Sequence, residues 1–253
     1  MGLTGVRSEP RAPAPEVVWH DLECGSYTAD LPLWAELAAS PEPPGAVLEV
    51  GAGSGRVSLA LARAGHRVTA LDSDAALLGA LRERARSEGL ELATVHADAR
   101  SFALRRRDFA ACLVPMQTLQ LLGGARGRRE FMCRARAHLR PGGLLACAVV
   151  TELEAFDSAR DGVRTSAEQA RIGGQLYRSE AVRVSVGRRV SRIERERTIL
   201  PAGHRERYAV ELDRVNAPLL EREGARAGLR AAGARSIPAT SEHVGSVVVI
   251  FGA

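Results

Sequence analysis

Residues 47–56 read Val-Leu-Glu-Val-Gly-Ala-Gly-Ser-Gly-Arg, a short apolar run that meets glycines at 51, 53 and 55 and then a helical pattern. A strand entering alternating glycines must turn sharply, and the turn leaves backbone open to a ligand because no Cβ stands in the way. The helix expected next, over 54–64 with Val57, Leu59, Ala60 and Leu61, offers free N–H groups and positive potential at its first turn. The spacing narrows the ligand. A dinucleotide loop needs Gly-x-Gly-x-x-Gly, whereas the position of its third glycine is held here by Arg56. Glu49, two residues before Gly51, would crowd a pyrophosphate with negative charge and suits a ligand that carries a cation.

The surrounding pattern predicts an α/β fold. Strands are expected over 46–50, 67–71, 92–96, 109–114 and 144–150, and helices over 74–87 and 126–139. The first of these helices has Leu77, Leu78, Leu81 and Ala85 on one face. Strands separated by helices of this length form a parallel sheet covered on both sides. After Val150 the pattern changes to three polar-alternating stretches, 177–186, 190–199 and 205–215, which read as antiparallel strands with one wet face. A helix over 218–232, with Pro218 at its permitted first position, precedes apolar stretches at 234–237 and 244–251. The division expected is a flexible leader at 1–16, an N-terminal helical lid at 17–44 and one domain at 45–253, with an antiparallel insertion at 176–215. Within the lid, Leu31, Trp34, Leu37 and Ala38 predict a helix over 27–39, stopped by Pro41, Pro43 and Pro44.

Composition excludes some functions. The 253 residues contain no apolar run near the roughly 18 residues of a membrane-spanning helix. All 35 basic residues are arginines, set against 30 acidic ones for a net charge of +5. They alternate with acids, as in Arg-Ile-Glu-Arg-Glu-Arg at 192–197, which predicts a mixed solvated surface and argues against a nucleic-acid partner. Cys24, Cys112, Cys133 and Cys147 form no Cys-x-x-Cys pair, so neither a metal site nor a disulfide framework is encoded. The leader lacks the apolar core of a secretory signal, and a cytoplasmic location is expected.

With these features in view, residues 46–150 resemble the class I S-adenosylmethionine-dependent methyltransferases of small-molecule type. The family's first strand ends in an acid followed by Gly-x-Gly-x-Gly, matched by Glu49, Gly51, Ala52, Gly53, Ser54, Gly55 and then Arg56. The resemblance implies that this loop holds the methionine part of S-adenosylmethionine. It also implies that Asp72, next to Ser73, takes the ribose hydroxyls, and that Asp98 lies at the adenine amino group with the Ala99 backbone reading the ring. Pro115, Met116 and Gln117 would border the methyl group, and the Leu-Arg-Pro-Gly-Gly turn at 139–143 is a frequent family feature. The implied fold is Rossmann-like, a seven-stranded mixed sheet with helices on both faces. Its last strand is antiparallel and inserted between its predecessors.

The implied activity is methyl transfer to an N, O or C atom of a small-molecule acceptor, in a biosynthetic pathway. An RNA acceptor and a non-catalytic S-adenosylmethionine-binding protein are the alternatives. The Asn/Asp-Pro-Pro-aromatic tetrad of base-amine enzymes is absent, Cys112 sits in an apolar strand, and no acid occurs between Asp108 and Glu130. Gln117 and Tyr27 are the candidate acceptor-side residues, the former to orient a polar acceptor and the latter as an aromatic lid. His20, His204 and His243 are the candidate bases. The insertion either covers the acceptor or joins two copies of the chain into a homodimer, and its Arg178, Arg183, Arg188, Arg189 and Arg192 either line a solvated face or meet an anionic acceptor.

Overall fold

The computed structural model describes residues 13–163, 165–240 and 243–253; the leader expected at 1–16 falls mostly outside them. In chain order there follow α1 (Pro15–His20), one π-helical turn (Asp21–Gly25), α2 (Leu31–Ala39), β1 (Val47–Val50), α3 (Arg56–Arg63), β2 (Val68–Asp72), α4 (Ala75–Ser87) and β3 (Ala93–His96). Next come β4 (Phe109–Val114), a 3-10 turn (Thr118–Leu121), α5 (Gly124–His138), β5 (Leu139–Val149), β6 (Phe156–Asp157), α6 (Ser158–Asp161) and β7 (Glu168–Ile172). The chain closes with β8 (Gln175–Val186), β9 (Val190–Leu200), β10 (His204–Asp213), α7 (Ala217–Arg226), β11 (Arg230–Ile237) and β12 (Ser246–Gly252).

Seven strands form one sheet in the order β11-β12-β5-β4-β1-β2-β3. β1 to β5 run parallel, and β12 pairs antiparallel with both β5 and β11, so the last strand is inserted as expected. Alternation along the strands gives the sheet a packed core on each face. Leu48, Val50, Cys112 and Val114 face Phe131 and Met132 of α5 and Leu220 of α7. Val47, Ala111 and Leu113 face Trp34 and Leu37 of α2 and Val57 and Leu61 of α3. Cys112 is fully buried, and burial pushes its thiol well above its ordinary pKa, which makes it a packing residue.

Several boundaries differ from the sequence reading. The glycine-loop helix starts at Arg56 because Gly55, at φ 103°, lies outside helical space. The helix expected over 27–39 starts at Leu31, leaving Tyr27 in the connection before it. The Leu-Arg-Pro-Gly-Gly segment is not a free turn but the start of β5, with a register break against β4 between Phe109 and Ala111. The helix expected over 218–232 ends at Arg226. Gly228, at φ 80°, turns the chain out, and residues 230–232 join β11. Pro15 and Glu16, read as leader, belong to α1, whose Val17, Val18 and Trp19 are buried.

The antiparallel strands after β5 form a second sheet, β10-β9-β8-β6, with β7 sharing the second edge of β8. One part rests on the N-terminal segment, where Trp19 meets Tyr177 edge-on at 5.3 Å and Arg197 donates to Glu23 at 2.8 Å from both Nε and Nη2. The other part meets the carboxyl end of the large sheet, where Gln120 Nε2 donates to the Asp213 carbonyl at 2.8 Å. The second sheet thus joins the carboxyl edge of the first and the N-terminal segment through two anchors. Among the described residues no helix is long and apolar enough to cross a membrane.

Candidate active site

The glycine loop has the geometry its composition demands. Gly51, Gly53 and Gly55 take φ values of 75°, 54° and 103°, the left-handed region that costs glycine nothing. Each also admits a neighbour where a Cβ would stand: the Thr118 side chain over Gly51, the His20 ring over Gly53 and Leu81 over Gly55. The loop is tied to β2 by the Gly51 and Ala52 N–H groups, which donate to the Leu71 carbonyl at 2.9 and 3.1 Å.

Asp72 ends β2 beside this loop. Its carboxylate accepts from Gly53 N–H at 2.7 Å and from Asp74 N–H at 2.9 Å, so the acid and the glycine backbone form one unit. Asp74 in turn caps α4, accepting from Ala76 and Leu77 N–H. Ser73 is exposed, and its carbonyl lies 3.0 Å from His96 Nε2. Asp98 follows β3 and is paired with Arg100, whose side chain and backbone N–H hold its carboxyl below the usual range. Ala99 is buried behind it.

Glu49 points the other way. Strand alternation puts it on the Val47 side, beneath α3, where it is 1% exposed and accepts from Ser58 Oγ. Burial raises its pKa to about 8 against the opposing Ser58 hydrogen bond, so near neutrality the group is largely protonated. Ser54 Oγ donates to Asp21 at 2.6 Å and lies 3.1 Å from His20 Nδ1, while Arg84 pairs with Asp21 and donates to the Ser54 carbonyl at 3.0 Å. Despite burial, hydrogen bonds from His20, Arg84 and Ser54 hold the Asp21 carboxyl well below the usual carboxylate range.

Arg56 and Tyr27 are engaged with each other. The guanidinium pairs with Asp30 at 2.5 and 2.8 Å, donates to the Tyr27 carbonyl at 2.8 Å and stands 5.3 Å over the Tyr27 ring. Tyr27 is 7% exposed, packs in the α2–α3 core and lies 4.7 Å from the His243 ring. His204 stands exposed at the start of β10, 3.7 Å from Glu206. Of the three candidate bases, only His20 is at the glycine loop.

After β4, Pro115 is buried, Met116 takes φ 54° and Gln117 is half-buried at the head of the 3-10 turn. A left-handed non-glycine residue stores strain of about 1–3 kcal/mol, and such strain clusters at working sites. The turn it creates carries Thr118 onto Gly51.

Residues 47–143, which span this loop and both acids, match the family model described as a methyltransferase domain. Over these residues the chain is similar to methyltransferase domains, and its sheet order is that of the class I methyltransferase fold. No curated protein sequence matches the chain. Its fold is shared with the sugar N-methyltransferase of Streptoalloteichus sp., at 14% identity and TM-score 0.72 over 100% of this chain and 97% of that one. It is shared too with the amino pentose methyltransferase of calicheamicin biosynthesis from Micromonospora echinaspora, at 21% identity and TM-score 0.68 over 97% and 100%. The CcbJ methyltransferase from Streptomyces caelestis aligns at 20% identity and TM-score 0.67 over 90% and 97%.

Two features of the site were not foreseen from the sequence. Gln120 is buried, and its amide accepts from Val150 N–H at 2.8 Å while donating to the carbonyls of Val150 (3.1 Å) and Asp213 (2.8 Å). A glutamine between two leucines carries no signal for such a role. Beside it opens a cavity of about 270 Å³ between the end of β5, the β8–β9 hairpin and the exit of β10.

Proposed function

We propose that the domain is an S-adenosylmethionine-dependent methyltransferase acting on an N, O or C atom of a small-molecule acceptor in a biosynthetic pathway. The observation that carries this reading is the union of Asp72 with Gly53 across 2.7 Å, which brings a diol-accepting carboxylate and the glycine-loop backbone to one place. The donor set fits the cofactor's chemistry. Asp72 and Asp98, at the ends of adjacent strands, are acceptors for two hydroxyls and an amino group, and charge-assisted hydrogen bonds of this kind are the stronger ones. Gly51 to Gly55 would receive the methionine part, with Arg56 fixing the lid behind them.

Bound S-adenosylmethionine supplies a methyl group already activated by sulfonium charge. The chain's own task is then to hold the acceptor in line at about 3–3.5 Å, which provides much of the acceleration in such displacements. Pro115 and Met116 set the floor, and the Gln117 amide, able to donate and accept, orients a polar acceptor. His20 is the base for an acceptor that arrives protonated. The pairing of Arg178, Arg183, Arg192, Arg195, Arg197 and Arg205 with acids supports a small molecule over RNA, since little of that charge is free for phosphates.

Calorimetry with S-adenosylhomocysteine and with NAD, followed by transfer of labelled methyl from S-adenosylmethionine into a small-molecule extract and into RNA, tests the reading. Binding of the homocysteine compound alone and label in the small-molecule fraction are expected. Binding of NAD alone, or label confined to RNA, would overturn it.

A further inference from the structure

The cavity beside Gln120 has a chemistry that the donor half does not use. Eleven residues line it, and none carries a carboxylate. Val150, Leu212 and Val215 supply an apolar, buried wall. Two arginines, Arg188 from the β8–β9 hairpin and Arg214 from the exit of β10, stand at its edge. At about 270 Å³ it is slightly smaller than the roughly 300–1,000 Å³ of drug-sized ligand sites, which suits a small acceptor.

Several arginines on the same sheet are neutralised, whereas those at the cavity are not. Arg183 pairs with Asp157, Arg192 with Glu194 and Glu211, and Arg205 with Glu196. Arg188 and Arg214 pair with no acid among the described residues. The Arg188 guanidinium has no hydrogen bond there, and Arg214 uses only Nη1, donating to the Gly187 carbonyl at 2.7 Å, which leaves Nε and Nη2 free. Ser191, 3% exposed and lining the same cavity, has a hydroxyl with no partner among the described residues. The positive end of α7 adds to this field, since Asn216, its N-cap, also lines the wall. Guanidinium groups left unpaired beside an acid-free wall select anionic oxygens.

We propose that this cavity seats the acceptor and that Arg188 and Arg214 select one bearing an anionic carboxylate or phosphate group on an apolar or sugar-sized body. The proposal rests on the methyltransferase reading and names the acceptor class for it. The anion would sit between the two arginines and the Ser191 hydroxyl, and the body of the acceptor against Val150, Leu212 and Val215. Gln120 holds the β5 and β10 sides of the wall together, which makes it a positioning residue for this pocket.

The test uses three probes of one shape, benzoate, phenyl phosphate and neutral benzamide. Each is titrated by ligand-observed NMR into the full chain saturated with S-adenosylhomocysteine. At least one anion should bind about tenfold or more tighter than benzamide, on the scale of hydrogen bonds to charged groups. The tighter of the two assigns carboxylate or phosphate. Arg188→Gln, which removes no contact within the fold, should cost that anion about tenfold and leave benzamide unchanged. Arg192→Gln, on the same sheet but outside the cavity, should change neither. Equal affinity for benzoate, phenyl phosphate and benzamide, no binding of either anion at about 10 mM, or an unchanged preference in Arg188→Gln with Arg214→Gln would overturn the proposal. Failure of S-adenosylhomocysteine to bind the wild-type chain would instead sink the methyltransferase reading, so the two failures are separable.

Discussion

Asp72 and Glu49 are both acids at the ends of inner strands, yet neighbours give them opposite chemistry. Asp72 is half-exposed and accepts two backbone N–H groups, which keeps it ready for hydroxyl donors. Asp72→Asn should weaken S-adenosylhomocysteine binding by about 1.5–3 kcal/mol in calorimetry, the worth of a hydrogen bond to a charged group. Glu49 is buried and raised to about 8, whereas in the unfolded chain it titrates near 4.5. Between those values the folded state holds a proton the unfolded state has released, so this group's contribution to stability is present below about pH 4.5 and is lost as pH rises toward 8. Glu49→Gln should therefore flatten the fall in urea-unfolding free energy from pH 5 to 8 and stabilise the protein at pH 8 relative to wild type. Asp21 works in the opposite sense. Its lowered carboxyl contributes stability above the ordinary carboxylate range and loses it as pH falls through the folded value.

At the scale of elements, the wall of the acceptor cavity depends on a charge cluster away from the glycine loop. Arg128 of α5 is 4% exposed and pairs with Glu223 of α7 through Nε and Nη2 at 2.8 Å, and with Asp213 at the end of β10 at 2.6 Å. Asp213 also accepts from Gly124 N–H at 2.7 Å, so one carboxylate fixes the start of α5 and the strand that carries Leu212 and Arg214. Removing one member leaves charges buried without partners, a loss of about 3–5 kcal/mol. Arg128→Met should lower the denaturant midpoint on that scale, and restoring part of it with Glu223→Leu would show that the unpaired acid causes the loss. Helices α3 and α4 were legible from their 3.6-residue apolar period. α1 was not, because its apolar face is only Val17, Val18 and Trp19, too few for a period, and its neighbours Pro13 and Pro15 resemble a linker.

For the whole molecule, the N-terminal segment is one of two junctions between the glycine-loop half and the second sheet. His20 and Asp21 contact Ser54 of the glycine loop, and Glu23 accepts from Ser179 at 2.7 Å and from Arg197. Arg197 also lies over both Trp19, at 5.2 Å, and Tyr208, at 4.0 Å, which shields this pair from water. Deleting residues 1–25 should reduce S-adenosylhomocysteine affinity and thermal stability together, measured by calorimetry and by thermal unfolding. A truncated chain with full affinity and an unchanged midpoint would show that the segment is merely appended.

The sequence by itself determined the succession of strands and helices along the chain, the glycine loop and the acids at 49, 72 and 98, because these rest on local periodicity and on backbone conformations only glycine adopts freely. It determined the inserted last strand only through resemblance to a family. Tertiary structure alone decided which of these groups face a common space. Glu49 turns under α3 because β1 alternates, Arg56 and Tyr27 are occupied by each other, and His20 reaches Gly53 from 33 positions away. The cavity of Arg188, Arg214 and Gln120 was decided there too, since it is made where two sheets meet. Contacts between residues far apart in the chain leave no period to read.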